Sequence, residues 1–355
     1  MKKLMNDVDS ILTEALDGFA SAHGDIVKLD SEYQYVCRRE LTPGKVALIS
    51  GGGSGHEPLH TGFVGHGMLH AACPGQVFTS PTPNQMLAAA ESTHSGNGVL
   101  FIVKNYSGDM MNFQMAADML DIENATVTIN DDVAVENSTH TTGRRGVGGT
   151  LIVEKILGAA SEQGESLAEL KMLGDSTNNA TASMGVALTS CIVPAAGKPT
   201  FEIGPKEMEM GVGIHGEPGR RRVELTSADE IASELTAAIV NDLSLKTDQQ
   251  VIMLVNGFGG TPLLELYLMA NSATKILKAR GIRIARYLVG SYVTSLEMAG
   301  CSITLTAVDD KLLKLWDAPV HTAALRCPTK TSTVPTKNPP PTQRKLPKAR
   351  NQDSG

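Results

Sequence analysis

Apolar residues recur along this chain in two rhythms, and the switches between them outline an architecture. Val8, Ile11, Leu12, Ala15, Leu16 and Phe19 follow Asn6, a good cap, at helical spacing and stop at Gly24, which predicts an amphipathic helix. Compact apolar runs at 45–49, 99–103 and 126–129 end in a glycine cluster, in Lys104, and in Asn130, Asp131 and Asp132; they read as buried strands. Helical spacing returns at 112–120, 149–158 and 166–173. Strands alternating with helices imply an α/β layer whose chemistry gathers in the loops beyond the strands' carboxyl ends.

The polar, helix-poor run 175–183 predicts a domain boundary. Beyond it come strand-like runs at 184–188, 251–255, 282–289 and 303–308, and another that ends at 213–216. Among them lie a helix opened by the capping box from Ser227 to Glu230, a long helix over 262–278 closed by Gly281, and a short helix over 310–316. The fold class is therefore α/β: two α/β domains with mixed sheets, over residues 1–182 and 183–326, then a disordered C-terminal tail over 327–355. The tail holds six prolines among Thr, Lys and Arg, with too little apolar surface to offset the entropy of ordering.

Charge divides the chain in the same way. Residues 327–355 carry six Lys/Arg against one Asp, leaving residues 1–326 with 25 basic and 37 acidic side chains. An acidic body argues against a nucleic-acid surface, which needs a basic stripe to neutralise phosphates. The chain shows neither a membrane span nor the apolar core of a signal peptide, so the expectation is a cytoplasmic protein acting on small soluble ligands. Cys37, Cys73, Cys191, Cys301 and Cys327 are scattered without metal-ligand spacing and read as buried free thiols. No metal site is expected.

Three segments carry candidate chemistry. At 50–56 the run SGGGSGH follows a strand; successive glycines bring backbone N–H groups close to a ligand's oxygens, although a tight turn needs the same residues. It lacks the Lys-Ser/Thr pair of a Walker loop, and His56 at its end is placed for proton transfer. At 104–109, KNYSGD puts Lys104 and Asp109 where both can face one crevice; the alternative is that Ser107 or Asp109 caps the following helix. His215 lies between glycines in GIHGEPG at 213–219, exposed to whatever approaches, and a neutral imidazole there is either a nucleophile toward a carbonyl or a satisfied loop histidine. The segments NDD at 130–132 and GRRG at 143–146 are positioning elements or solvated turns, and His23, His60, His66, His70, His94, His140 and His321 are structural or surface groups.

Taken in order, SGGGSGHEP (50–58), TSPTP (79–83), KNYSGD (104–109), NDDVAV (130–135), GRRGV (143–147), GIHGEPG (213–219) and LWDAPVH (315–321) resemble the dihydroxyacetone-binding subunit of dihydroxyacetone kinases, phosphoenolpyruvate-dependent bacterial type. The resemblance covers about residues 1–326. It implies that His215 binds dihydroxyacetone covalently as a hemiaminal, with His56 as general base and Asp109 as hydrogen-bonding partner of the hydroxyl that is phosphorylated. It implies substrate contacts from Gly53, Ser54, Gly55, His56, Lys104, Asp109 and His215, with Ser80 a lesser candidate. No cofactor is expected in this chain; ADP/ATP with magnesium is expected on a nucleotide-binding (L) subunit, recharged by a phosphotransferase-system donor (M) subunit. The resemblance further implies a homodimer. Two rival readings are a dihydroxyacetone-sensing transcriptional coactivator and the substrate domain of a single-chain ATP-dependent kinase.

Overall fold

The computed structural model describes residues 2–135, 143–217 and 219–327. Its first part runs α1 (Ile11–Ala22), β1 (Val27–Asp30), β2 (Tyr35–Arg38), β3 (Ala47–Ser54), β4 (Gly65–His66), β5 (Ala71–Val77), α2 (Pro83–Thr93), β6 (Val99–Lys104), α3 (Ser107–Met119), β7 (Asn124–Ile129), α4 (Gly149–Glu162) and α5 (Leu167–Asn179). The second part runs β8 (Thr181–Ala187), β9 (Glu207–Met210), β10 (Arg221–Glu224), α6 (Ala228–Asp242), β11 (Gln250–Gly257), α7 (Leu263–Ala279), β12 (Arg283–Gly290), β13 (Gly300–Val308), α8 (Asp310–Trp316), β14 (Val320–Thr322) and β15 (Arg326–Cys327).

Two six-stranded mixed sheets result, ordered β1-β2-β5-β3-β6-β7 and β10-β9-β8-β13-β11-β12. In the first, β5, β3, β6 and β7 are parallel, so their carboxyl ends share one edge. In the second, only β11 and β12 are parallel. Helix α4 is buried along nearly its whole length and touches strands of both sheets. Its composition allows this: most of its residues are apolar or small, and its two buried charged side chains find internal partners, Lys155 at the Leu315 carbonyl (3.0 Å) and Glu154 at His60 (2.7 Å). Gly158 lets it approach closely: a Cβ there would lie 2.2 Å from the Gly67 carbonyl oxygen. A boundary after residue 182 falls inside β8.

Several expectations are corrected. The glycines at 51–53 lie within β3 rather than in a loop after it. The polar run at 175–183 does not break the chain: α5 continues through Asn179, and Asn178 and Asn130 exchange hydrogen bonds of 2.7 and 3.1 Å that tie its end to β7. The capping box of Ser166 and Glu169 starts that helix, and Gly174, Thr177 and Asn178 give it a small, polar buried face that periodicity in apolar residues does not register. Helix α3 starts at Ser107 with Tyr106 as its N-cap, so neither Ser107 nor Asp109 is the cap. Cys327 is exposed, while the other four cysteines are buried free thiols. The tail from 328 onward, and His140, lie outside the described residues.

Candidate functional site

The site begins with the close packing around β3. A Cβ on Gly52 would stand 2.2 Å from Lys104 Nζ, and one on Gly53 would stand 2.6–2.7 Å from the backbone of Phe78 and Thr79. Glycine is therefore required by space here rather than by turning. Ser54 donates to the Gly75 carbonyl at 2.7 Å, a neighbour-strand bond, so its hydroxyl is already engaged. Gly55 (φ 104°) turns the chain out of the strand, and its N–H donates to the Glu57 carboxylate at 2.9 Å.

This turn delivers His56 into the interior, where it is fully buried. Its Nδ1 lies 2.8 Å from the Thr294 carbonyl, which only accepts, so Nδ1 carries the ring proton and the neutral ring's Nε2 is bare. Nε2 faces His215 Nε2 at 3.2 Å. That contact makes His215 Nε2–H the donor and leaves His215 Nδ1 bare; Nδ1 is buried without a partner, 3.8 Å from Glu217 Oε1. Burial, with the nearby charges of Lys104 and Arg145, pushes His215 down to about 3. Burial also holds His56 well below the usual histidine range, helped by His215 and Lys104. Both rings are neutral at pH 7.

An aromatic box fixes these rings. Phe78 stacks on His56 with centroids 5.1 Å apart, and Tyr106 meets His215 edge-on at 4.2 Å. Neither was singled out in the sequence. Tyr106 had a signal, since it sits in the middle of KNYSGD; Phe78 had none, because it arrives through the chain after β5.

Lys104 and Asp109 meet as the spacing suggests. Lys104 ends β6 and is fully buried, Asp109 stands in the first turn of α3, and Nζ to Oδ2 is 3.7 Å. Ser80 donates to Asp109 Oδ1 at 2.5 Å, which places it beside the carboxylate. An unpaired buried ammonium costs several kcal/mol, so its partners matter. Lys104 donates to the Gly51 carbonyl at 3.1 Å and to His60 Nε2 at 2.8 Å. Of the two readings offered for His60, structural or surface, the buried structural one holds, and it stands directly behind Lys104.

The two acidic and basic segments are positioning elements, not solvated turns. Asp131 accepts from the backbone N–H groups of Val147 and Gly149 at 2.8 and 2.7 Å and from Ser183, anchoring the start of α4. Arg145 pairs with Asp132 at 2.7 Å and donates to the Gly211 carbonyl at 2.8 Å, which fixes the loop that carries His215. Its other nitrogen lies 3.9 Å from Glu217. Among the described residues no group of three His, Cys, Asp or Glu side chains is arranged to hold a metal ion, and no helix is long and apolar enough to cross a membrane.

A buried pair of neutral histidines carried by the loops of two sheets, beside a lysine–aspartate pair, is a candidate site for a small polar ligand. The sequence matches the Dak1 domain family over residues 17–324, and the chain belongs to that family. It is 47% identical over 328 residues to the dihydroxyacetone-binding subunit of the PTS-dependent dihydroxyacetone kinase 1 of Listeria innocua, covering 91% of this chain and 100% of the relative. It is also 47% identical over 353 residues to the corresponding subunit of the PEP-dependent kinase of Escherichia coli, covering 92% and 99%. Among solved structures, the dihydroxyacetone kinase of C. freundii superposes with a TM-score of 0.83 at 30% identity, covering 97% of this chain and 64% of that one. A dihydroxyacetone kinase operon co-activator superposes equally well, TM-score 0.83 at 34% identity, covering 88% and 97%.

Proposed function

We propose that this chain is the dihydroxyacetone-binding subunit of a phosphoenolpyruvate-dependent dihydroxyacetone kinase. The observation that carries the reading is the contact between His56 and His215, two rings kept neutral by burial and brought together from separate sheets. A neutral imidazole adds to a ketone: the nitrogen lone pair forms the N–C bond, the carbonyl electron pair moves to oxygen, and the ring N–H proton ends on that oxygen. Glycerol has no carbonyl and is excluded by chemistry rather than by size. His56, with a bare Nε2, takes the proton of the hydroxyl that is phosphorylated, and Asp109 holds that hydroxyl. Gly53, Gly55 and Lys104 complete the cradle.

The phosphoryl group comes from ADP/ATP with magnesium on a nucleotide-binding (L) subunit, recharged by a phosphotransferase-system donor (M) subunit. Support for this division is the match to subunits of that kind over their full length. A cytoplasmic homodimer is part of the proposal; Leu263, Leu264, Tyr267 and Leu268 on α7, with Tyr287 on β12, form an exposed apolar face suited to it.

The test is turnover of dihydroxyacetone with ATP alone and then with the complete phosphoenolpyruvate relay. Turnover only with the relay is expected, and His56→Ala should lower kcat by roughly a hundredfold or more. Wild-type rates in His56→Ala would overturn the base assignment. The likeness to the co-activator favours a second reading, a dihydroxyacetone sensor; binding without turnover in the full relay would establish it in place of the first.

The low proton affinity of His215 carries its own expectation. Because its folded value is about 3, the ring stays neutral well below the ordinary histidine range. Calorimetric affinity for dihydroxyacetone should be flat from pH 8 down to about pH 5, whereas an unperturbed imidazole would lose binding as pH falls through about 6.5. A fall in affinity near pH 6.5 would exclude a neutral His215 as the nucleophile.

A further inference from the structure

Lys104 does not stand alone behind the site. Its ammonium has three hydrogens and no lone pair. The Gly51 carbonyl lies 3.1 Å from Nζ, His60 Nε2 2.8 Å and Asp109 Oδ2 3.7 Å, so each hydrogen has a direction. Since an ammonium only donates, His60 Nε2 must be bare and Nδ1 must carry the proton. Nδ1 then donates toward Glu154 Oε1 at 2.7 Å, with Ser50 Oγ at 2.9 Å. Ser50 spends its own proton on the Ile102 carbonyl at 2.7 Å and is free to accept. The charged Lys104 thus fixes the tautomer of His60, with Nε2 toward the ammonium and Nδ1–H toward Glu154.

We propose that Glu154 and His60 are positioning residues for the reaction: together they hold the Lys104 ammonium between the Gly51 carbonyl and Asp109, and so aim the Asp109 carboxylate at the substrate hydroxyl. The chain crosses layers, from α4 through the segment after β3 to the end of β6. Glu154, His60 and Lys104 are 0%, 5% and 0% exposed, and Glu154 Oε2 has no partner, so the side chain's interactions are confined to the Ser50, His60 and Lys104 cluster. A packing role alone would be filled better by an apolar residue, because buried ion pairs seldom stabilise more than well-packed hydrophobic side chains. Burial pushes Glu154 up to about 8, opposed by Lys104, and pushes Lys104 down, opposed by Asp109 and Glu154. The titratable groups around the ammonium are Asp109 from α3, Glu154 from α4, His60 and His56 from the segment after β3, and His215 from the loop after β9. Of these, Asp109 and Glu154 favour its charged form through their own charge, and His60 through the hydrogen bond it accepts.

This inference rests on the kinase reading, and kcat in the reconstituted relay tests the two separately: wild-type turnover bears on the reading, variants relative to wild type on the positioning. Glu154→Gln keeps the acceptor for His60 but removes the charge that the carboxylate carries above about pH 8. It should leave KM within about twofold, and the alkaline limb of kcat should move about one pH unit lower, because the ammonium loses a stabilising neighbour. A merely structural role would not move that limb. His60→Gln, whose amide can accept from Lys104 and donate to Glu154, should recover to within about threefold of wild type what His60→Leu loses by roughly a hundredfold. A wild-type alkaline limb in Glu154→Gln, or equal losses in His60→Gln and His60→Leu, would overturn the proposal. If Glu154→Gln fails to fold, the His60 pair decides. If the wild type itself shows no turnover, the kinase reading fails, and the same variants are read by the pH dependence of dihydroxyacetone affinity.

Discussion

Replacing His215 by alanine should abolish covalent capture of dihydroxyacetone and reduce kcat/KM roughly a thousandfold or more, with the folded state intact. The ring sits in a loop, and its backbone N–H is held by Glu217 at 3.1 Å independently of the side chain, so truncation removes a reactant rather than a support. Intact-mass spectrometry under native conditions should show a dihydroxyacetone adduct on the wild type and none on His215→Ala. An adduct of equal occupancy on the variant would exclude His215 as the nucleophile.

Gly52→Ala should be nearly as damaging, by a different route. The new methyl would stand 2.2 Å from Lys104 Nζ and 3.3 Å from Asp109 Oδ2, at a position whose φ is already 156°. Lys104 cannot swing away, since it is fully buried with donors directed at Gly51 and His60. The expected result is a loss of about 1–3 kcal/mol in chemical denaturation from overpacking, together with at least about a hundredfold in kcat. Near-native kcat with the same loss of stability would mean that the ammonium can relocate without consequence.

Much of the site was legible in the sequence because its parts sit in long, ordered motifs. His56, Asp109, Lys104 and His215 all fall in them, and the structure brings the first and last into contact across more than 150 residues of chain. What stayed hidden has physical causes. The glycines of β3 look like a loop because glycine has little preference for strands, yet β5 pairs with Gly51, Gly52 and Gly53 in turn, and Cys73, Lys104 and the Phe78–Thr79 backbone occupy the space where their side chains would stand. Strand β5 was not anticipated because Pro74 and Gly75 interrupt its pattern, while its parallel pairing with β3 still places it. Glu154 and His60 carry no local signature at all. One lies in a helix that reads as apolar, the other between a strand and a short helical turn, and only the packing of α4 across β3 joins them.

The segment after β12 reaches across to the turn that ends β3. Thr294 and Leu296 donate backbone N–H groups to the carbonyls of His56 and Gly55 at 3.2 and 2.8 Å, and the Thr294 hydroxyl donates to the Glu57 carbonyl at 2.8 Å. The second sheet is thereby clasped onto the very turn that presents His56. The base and the loop beside β12 are therefore one mechanical unit: a substitution that loosens Thr294 should displace His56 even though Thr294 contributes only its backbone to the ring's Nδ1.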